Sequence, residues 1–143
     1  MTAPITIIIP TLNAADDLPM AAASLMPGLT EGLIARLVVS DGGSDDATTE
    51  IARDLGADVV TGARGRGAQL ALGVKATRTP WLLLLHADTR LAPDWTAAVS
   101  DHIRDHADTA GFFRLAFDTK GAAPAIVAGG ANLRSKIFGL PYG

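Results

Sequence analysis

Short apolar runs alternate along this chain with stretches whose apolar residues recur at the spacing of an α-helix. The apolar runs are bounded by turn residues and predict strands at Ile5–Ile9, Ile34–Ser40, Val59–Val60, Trp81–Leu85 and Phe113–Phe117. Helical spacing predicts helices over residues 16–26, around 47–55, around 70–74 and around 95–103. Strands separated by such helices indicate βαβ units, so we expect an α/β fold with a mostly parallel sheet.

Glycine and proline residues mark the expected ends of these elements. Pro27 and Gly28 should close the first helix, and Gly56 is placed just after the second. The tail predicts a helix over residues 124–138 and a loop over residues 139–143. In a parallel sheet the loops after the strands emerge at one edge, so one crevice should be lined by residues 10–13, 41–45, 62–67 and 86–89.

Two of the apolar runs end on an aspartate. Asp41 follows the second predicted strand directly, and Asp88 follows the fourth after His86 and Ala87. At the carboxyl ends of strands, where α/β sheets bind ligands, Mg²⁺ or Mn²⁺ takes oxygen ligands from one or two carboxylates and substrate phosphates. We therefore expect Asp88 to hold such a cation, with a simple turn role before Leu91 as the alternative. For His86, a ribose partner or a polar strand end is favoured over a metal ligand.

The residues around Asp41 favour contact with a flat or hydroxylated ligand. Gly42 and Gly43 lack side chains, which allows a ring or a ribose to approach the backbone. The carboxylate of Asp41 can accept hydrogen bonds from a base N–H or a sugar hydroxyl. For Ser44–Asp46, capping of the following helix is favoured over ligand contact.

The segment Gly62–Gly67 is rich in glycine and basic, but it matches neither common phosphate-binding motif. Leu70 stands where a dinucleotide-binding motif would need its third glycine, and no Lys-Ser or Lys-Thr pair follows the segment. Arg64 or Arg66, together with backbone N–H groups near a helix start, can still hold a diphosphate. A solvated loop is the alternative.

The composition fits one soluble domain. With 143 residues and 48% hydrophobic content, the chain can bury one core of ordinary size. The net charge of -3 gives no basic footprint for nucleic acid, and the absence of cysteine excludes disulfides and thiolate metal sites. Neither a signal peptide nor a membrane-spanning run is present, so we expect a cytoplasmic protein with no transmembrane segment.

Four motifs, in their order and spacing, resemble the family 2 glycosyltransferases of GT-A fold. They are Ile7–Asn13, Val39–Thr48, Gly65–Gln69 and His86–Thr89. The His-Ala-Asp-Thr string and the ending Phe138–Gly143 are further similar to a bacterial subgroup, the radical-SAM/selenodomain-associated transferases. The resemblance implies a Rossmann-like GT-A domain that transfers a sugar, with inversion, from a UDP- or GDP-linked donor to an unknown acceptor.

The resemblance also implies roles for individual residues. Pro10, Thr11 and Asn13 would line the nucleoside, and Asp41 would bind the base or ribose. Asp88 corresponds to the last acid of the D-x-D motif of the family and would bind Mg²⁺ or Mn²⁺. His86 stands in place of the first acid, which removes one negative charge. The whole nucleotide-sugar set implied in this way is Pro10, Thr11, Asn13, Asp41, Gly43, Arg66, Gly67, His86 and Ala87.

The end of the chain departs from the family pattern. Within a single domain, 1–143, we expect residues 1–118 to form the donor-binding core and residues 119–143 to begin the acceptor side. In inverting relatives an acid in the acceptor-binding half deprotonates the acceptor hydroxyl. We expect that half to be truncated here, because the chain stops at Gly143, and no general base is assigned.

Two other interpretations stay open beside the transferase. A non-catalytic nucleotide-binding or assembly module is favoured if the chain ends at Gly143 in the cell. A nucleotidyltransferase of similar fold ranks lower, because Pro10–Asn13 is not the Gly-rich basic loop that such enzymes carry after the first strand. Among partners, we expect no nucleic acid, while peripheral membrane contact and self-association into a homo-oligomer through exposed apolar surface stay open.

Overall fold

A parallel sheet organises the part of the protein that the computed structural model describes, residues 2–116. The sheet has four strands in the order β3-β2-β1-β4, and all three pairings are parallel. The strands are β1 (Ile5–Thr11), β2 (Ile34–Asp41), β3 (Asp58–Thr61) and β4 (Trp81–Leu84). The helices are α1 (Leu18–Ala23), α2 (Met26–Thr30), α3 (Thr48–Asp54), α4 (Arg66–Lys75) and α5 (Trp95–Asp105). The predicted α/β fold with a parallel sheet flanked by helices is confirmed.

Strand β1 lies inside the sheet and supplies more of its buried core than any other strand. The β-branched residues Ile7, Ile8 and Ile9 are completely buried, which suits a strand covered on both faces. The strand runs two residues further than predicted and passes through Pro10. Proline has no backbone N–H to donate to a neighbouring strand. It is tolerated at position 10 because its nitrogen is on the side of β4, and the pairing of β4 with β1 already ends at Ile8 and Leu84.

Helix α4 packs closely on this sheet because one of its residues is a glycine. A Cβ atom on Gly73 would lie 2.5 Å from Cγ2 of Ile8, so a larger residue would push the helix away from β1. The start of α4 stands close to the ends of β1 and β2, because Gln69 in its first turns bonds the carbonyls of Thr11 and Ser40. Gly56, with φ of +78°, follows the last turn of α3 as predicted.

The predicted first helix is wrong in its boundaries. The structure has two short helices there, and Pro27 and Gly28 lie inside α2 instead of closing α1. Proline is compatible with the first turn of a helix because the N–H it lacks has no partner there. Gly28 allows Trp95 to pack, since a Cβ atom at this position would lie 2.5 Å from the indole ring.

Two predictions for the later strands are also wrong. The fully apolar run Trp81–Leu85 predicts a buried strand, yet Leu82 and Leu84 are 37% and 51% exposed. In the described sheet β4 is an edge strand, and exposure alternates along it, with Leu83 buried between Leu82 and Leu84. Phe113 and Leu115, predicted to lie in a fifth strand, are not in a strand, while Phe117 lies outside the described residues. The predicted tail helix and loop lie outside them as well.

The backbone divides into two compact units, residues 1–100 and 101–143. Within the described part of the second unit, Arg104 forms ion pairs with Asp101 and Asp105, and His102 shares a hydrogen bond with the carbonyl of Thr109. The predicted donor-core boundary at residue 118 lies outside the described residues and stays a prediction. None of the helices in residues 2–116 has the length and apolar character needed to cross a bilayer.

Candidate functional site

Asp41, at the end of β2, is the best-anchored acid in the first unit. Its side chain is 1% exposed and accepts hydrogen bonds from three neighbouring residues. Thr11 Oγ1 donates to Oδ1 at 2.9 Å, and the backbone N–H groups of Gly43 and Ser44 donate to Oδ2 at 2.9 and 2.7 Å. The hydroxyl of Ser44 donates to Oδ1 as well. Because a carboxylate has about four acceptor positions, these bonds use its capacity and fix the turn after β2.

The same contacts set the ionisation of Asp41. Burial by itself would raise the pKa of this carboxyl, but the hydrogen bonds from Ser44, Thr11 and Gly43 outweigh burial and hold the pKa below its ordinary value. The group is therefore charged at neutral pH. It acts as the anionic centre around which the ends of β1 and β2 are arranged.

The loops after β1 and β2 are bonded to each other by side chains, and we call residues 10–15 and 41–48 the paired loops. The N–H of Asn13 donates to Oγ of Ser44 at 2.8 Å, and Oδ1 of Asn13 accepts from the N–H of Asp45 at 2.9 Å. Asn13 has φ of +51°, a left-handed conformation that asparagine tolerates better than most residues. Asn13, which is predicted to line the nucleoside, thus already uses its side-chain oxygen Oδ1 in a hydrogen bond within the protein.

A second set of bonds continues the pairing toward α3. Asp46 accepts from the N–H of Thr48 at 2.9 Å and from the N–H of Ala15 at 3.1 Å, and Thr48 Oγ1 accepts from the N–H of Ala14 at 2.8 Å. Asp46 therefore bonds the first N–H of α3 from the position before the N-cap residue Ala47, whereas Ser44 bonds Asp41 and the first loop. The pKa of Asp46 is lowered, mainly by its hydrogen bond from the hydroxyl of Thr48.

The basic segment after β3 lies beside the paired loops. The N–H of Gly62 donates to the carbonyl of Asp41 at 3.0 Å, which places the start of this segment next to the end of β2. The prediction that Arg66 and Gly67 belong to a loop is wrong, because α4 already begins at Arg66. Both residues are exposed, as is Arg64. The first N–H groups of a helix have no partner inside it, so this exposed turn offers N–H donors and cationic side chains to an anion.

Gln69, on the next turn of α4, is a site residue to which the sequence analysis gave no role. Its side chain is buried, and Nε2 donates to the carbonyl of Thr11 at 2.6 Å and to the carbonyl of Ser40 at 2.9 Å. Ser40 Oγ donates in return to the carbonyl of Gln69 at 2.6 Å. Gln69 belongs to the motif Gly65–Gln69, but its hydrogen-bond partners are 58 and 29 residues away in the chain. No local sequence pattern reveals such partners.

The turn after β4, residues His86–Thr89, differs from the other loops, and we call it the β4 turn. Asp88 is exposed, and its one hydrogen bond among the described residues comes from Thr89 Oγ1 at 3.3 Å. His86 and Ala87 are partly exposed. No group of three His, Cys, Asp or Glu side chains within residues 2–116 is placed to hold a metal ion. Asp88 still fits a hard cation whose remaining ligands are substrate phosphates and water, because Mg²⁺ commonly binds through one or two carboxylates.

The structure thus brings most of the predicted site residues to one edge of the sheet. Thr11 and Asp41 are register partners at the carboxyl ends of β1 and β2, and β4 runs parallel to β1 on its other side. Pro10, Asn13, Gly43 and the start of α4 lie at the same edge through the bonds described above. The β4 turn leaves this edge without a hydrogen bond to the paired loops among the described residues. The arrangement can bind a ligand with an anionic group at α4 and a polar ring beside the paired loops.

Comparison with known proteins gives a consistent result. The model of the family described as Glycosyl transferase family 2 matches residues 6–126. The succinoglycan biosynthesis protein ExoA of Rhizobium meliloti is 51% identical over 49 residues, which are 34% of this chain and 14% of that protein. An uncharacterized glycosyltransferase of Mycobacterium tuberculosis is 34% identical over 85 residues, which are 59% of this chain and 36% of the relative.

A solved structure shares the fold. The crystal structure of glucosyl-3-phosphoglycerate synthase from Mycobacterium tuberculosis in complex with Mn²⁺ and UDP-glucose has a TM-score of 0.62 at 26% identity, over 71% of this chain and 39% of that one. The GT-A fold expected from the four motifs is thereby confirmed. The chain spans less than half the length of each of these relatives.

Proposed function

The chain belongs to glycosyl transferase family 2, and we propose that it binds a nucleoside diphosphate sugar at the carboxyl edge of its sheet for transfer of the sugar, with inversion, to an acceptor. The observation that carries the proposal is the convergence of the paired loops and the start of α4 at this edge, joined by the contacts of Asp41 and Gln69. Such a crevice at strand ends is where open α/β sheets bind nucleotides. The division into a donor-binding core, 1–118, and an acceptor side, 119–143, is part of the proposal.

The paired loops would hold the nucleoside. Pro10, Thr11 and Asn13 line the end of β1, and the glycine turn after β2 leaves room for a ring because Gly43 has no side chain and lies in open space. Asp41 would act first by fixing this turn, since its acceptor positions are occupied by Thr11, Gly43 and Ser44. A direct bond from a base or ribose to Asp41 would require exchange of one of these bonds, and the hydroxyl of Ser44 is the partner that can rotate away.

The diphosphate would lie between α4 and the β4 turn. Arg66 and the free N–H groups at the start of α4 supply positive charge and donors, and Asp88 would hold Mg²⁺ or Mn²⁺ with His86 and Ala87 nearby. When bound, such a cation neutralises charge on a leaving diphosphate as a Lewis acid. The structurally similar glucosyl-3-phosphoglycerate synthase was crystallised with Mn²⁺ and UDP-glucose, which supports a UDP-linked sugar donor and this class of cation for the present chain.

A thermal-unfolding experiment tests the proposal. UDP or GDP, with Mn²⁺ or Mg²⁺, should raise the Tm of the protein more than nucleotide or cation alone, because a ligand that binds only the folded state stabilises it. The variant Asp88→Ala should lose the cation-dependent part of the rise. Asp54→Ala is the matched control, since Asp54 is an exposed carboxylate at the far end of α3, and it should behave as the unaltered protein.

Two results would count against this assignment. A protein whose Tm responds to neither nucleotide with either cation does not bind a nucleotide sugar in the way proposed. If Asp88→Ala and Asp54→Ala respond equally well, the cation is not held by Asp88. Assays of sugar-nucleotide hydrolysis and transfer then separate an active transferase from a module that only binds nucleotide.

A further inference from the structure

Gln69 has contacts that no surface or purely helical role explains. The side chain is 5% exposed, and both hydrogen bonds of its amide nitrogen go to backbone carbonyls in other elements, those of Thr11 in β1 and Ser40 in β2. The carbonyl of Thr11 also accepts from the N–H of Gly42 at 2.9 Å. One amide group therefore joins the ends of two strands to the first turns of α4.

The amide also packs against the turn after β2. A Cβ atom on Gly42 would lie 3.1 Å from Cδ and Nε2 of Gln69, so the side chain occupies the space that the glycine leaves free. Buried polar groups must be hydrogen-bonded, and only a side chain with two donors at this reach satisfies both carbonyls at once. Shape and hydrogen bonding thus both specify an amide at this position.

We propose that Gln69 is a positioning residue of the nucleotide site, which holds the first turn of α4, with Arg66 and Gly67, at a fixed distance from the paired loops. This inference rests on the proposed function. The diphosphate and the nucleoside of one ligand would meet α4 and the paired loops respectively, so their separation has to match the ligand. Gln69 is the cross-link that sets this separation, because its bonds run directly from α4 to β1 and β2.

The alternative is that Gln69 contributes only to stability. A stability role predicts that a variant unfolds more easily but binds nucleotide normally once folded. A positioning role predicts weaker binding by the folded variant, because the two halves of the site are no longer held in place. The two roles are separated by measuring affinity under conditions in which every variant is folded.

The test compares Gln69→Met with Thr6→Val. Methionine keeps the length and neutrality of the side chain but has no donor. Thr6 is a buried residue of the same sheet, whose Oγ1 lies 2.7 Å from Oγ1 of Thr79 near the opposite ends of the strands, so its loss lowers stability away from the site. Titration calorimetry with UDP and Mn²⁺, at a temperature where circular dichroism shows all proteins folded, should give roughly tenfold weaker binding for Gln69→Met and unchanged binding for Thr6→Val.

A second measurement uses the unaltered protein and does not depend on the variant folding. Gln69 is the only glutamine of the sequence, so selective ¹⁵N labelling of glutamine side chains gives one amide proton pair. These protons should exchange slowly with water, because the group is buried and bonded to two carbonyls. Their resonances should shift when UDP and Mg²⁺ are added, since the ends of β1 and β2 contact the ligand.

The outcomes separate this inference from the function on which it rests. If the unaltered protein does not bind UDP or GDP, the proposed function fails and the role of Gln69 fails with it. If the unaltered protein binds but Gln69→Met binds equally tightly, the residue is structural and only this inference is overturned. Should the variant not fold, glutamine amide resonances that stay in place on nucleotide addition would overturn it equally well.

Discussion

The paired loops and the β4 turn lie at the same edge of one sheet but are built in different ways. In the paired loops Asp41 is buried and accepts four hydrogen bonds, and Asn13 and Ser44 join one loop to the other. In the β4 turn Asp88 is exposed and, within residues 2–116, accepts one long hydrogen bond from its neighbour Thr89. The hydrogen-bond acceptors of Asp41 are thus occupied by other groups of the protein, whereas the carboxylate of Asp88 is accessible to a ligand.

This difference indicates a division of labour within the site. A binding surface whose side chains are already held loses little conformational entropy when a ligand arrives, so the paired loops suit recognition of a rigid nucleoside. An exposed carboxylate with only a long hydrogen bond from its neighbour among the described residues suits a hydrated cation, which brings its own water and phosphate ligands. We therefore expect loss of the hydrogen-bonded side chains of the paired loops to affect folding, and variants in the β4 turn to affect only ligand binding.

The largest effect is expected for Asp41→Ala. The change leaves the N–H groups of Gly43 and Ser44 and the hydroxyl of Thr11 without their buried partner, and should lower the free energy of unfolding by about 3 kcal/mol. Urea unfolding measures this change. The matched control is Asp45→Ala, whose carboxylate is exposed in the same turn, and its stability should be unchanged. If both variants lose the same free energy of unfolding, Asp41 contributes no more to stability than an exposed acid of the same turn, and the prediction is wrong.

Acid should weaken the paired loops through the same carboxylate. Because the folded pKa of Asp41 lies below its ordinary value, its ionised form contributes stability that is complete above the unfolded pKa of about 3.9 and is lost as pH falls through the folded pKa. The stability gap between the unaltered protein and Asp41→Asn should thus be constant from about pH 7 to about pH 5 and shrink below about pH 4. Urea unfolding across this range measures the gap, and a gap that widens in acid would contradict the assignment.

A smaller effect is expected at Asn13. Asn13→Gly removes the side-chain bond to Asp45 but tolerates φ of +51°, whereas Asn13→Ala removes the bond and adds the strain of a left-handed residue. Alanine should therefore destabilise the fold by about 1 kcal/mol more than glycine does. Thermal or urea unfolding of the two variants gives the difference. Equal stability would mean that the left-handed conformation of this loop is not maintained in solution.

The smallest effect on folding is expected for Asp88→Ala. The side chain is exposed and bonds only its neighbour Thr89 among the described residues, so the Tm without ligand should be unchanged. The effect should appear only when nucleotide and cation are both present. A variant that loses stability without ligand would show that the β4 turn, like the paired loops, depends on its acid for structure.

The sequence predicted the parts of the fold that rest on local chemistry. The β-branched run of β1 and the apolar run before Asp41 identified buried strands, and the two acids were placed at one edge because parallel strands end together. Gly56 follows the end of α3 as expected, since a helix end often requires a positive φ and glycine adopts it without strain. The order of the motifs was enough to indicate the family.

The parts that were missed depend on residues far apart in the chain. Pro27 and Gly28 have the composition of a helix end, but they lie in the first turn of α2, where the glycine gives room to the distant Trp95. The run of β4 has the composition of a buried strand, but in the folded sheet Leu82 is exposed while its neighbour Leu83 is buried. Gln69 gave no signal, because a glutamine in a helix is usually exposed, and its carbonyl partners in β1 and β2 leave no mark in the sequence.

Paramagnetic broadening by Mn²⁺ locates the cation relative to assigned backbone amides, and so shows whether the cation and the nucleotide share one site at the carboxyl edge of the sheet. A ¹⁵N-labelled sample is titrated with trace Mn²⁺ in the absence and in the presence of UDP. We predict that UDP strengthens the broadening and centres it on the β4 turn and the first turn of α4, at Asp88 and Arg66. Broadening that is the same with and without UDP, or that centres on the acidic residues at the end of α5, would contradict a nucleotide-sugar site at the carboxyl edge of the sheet.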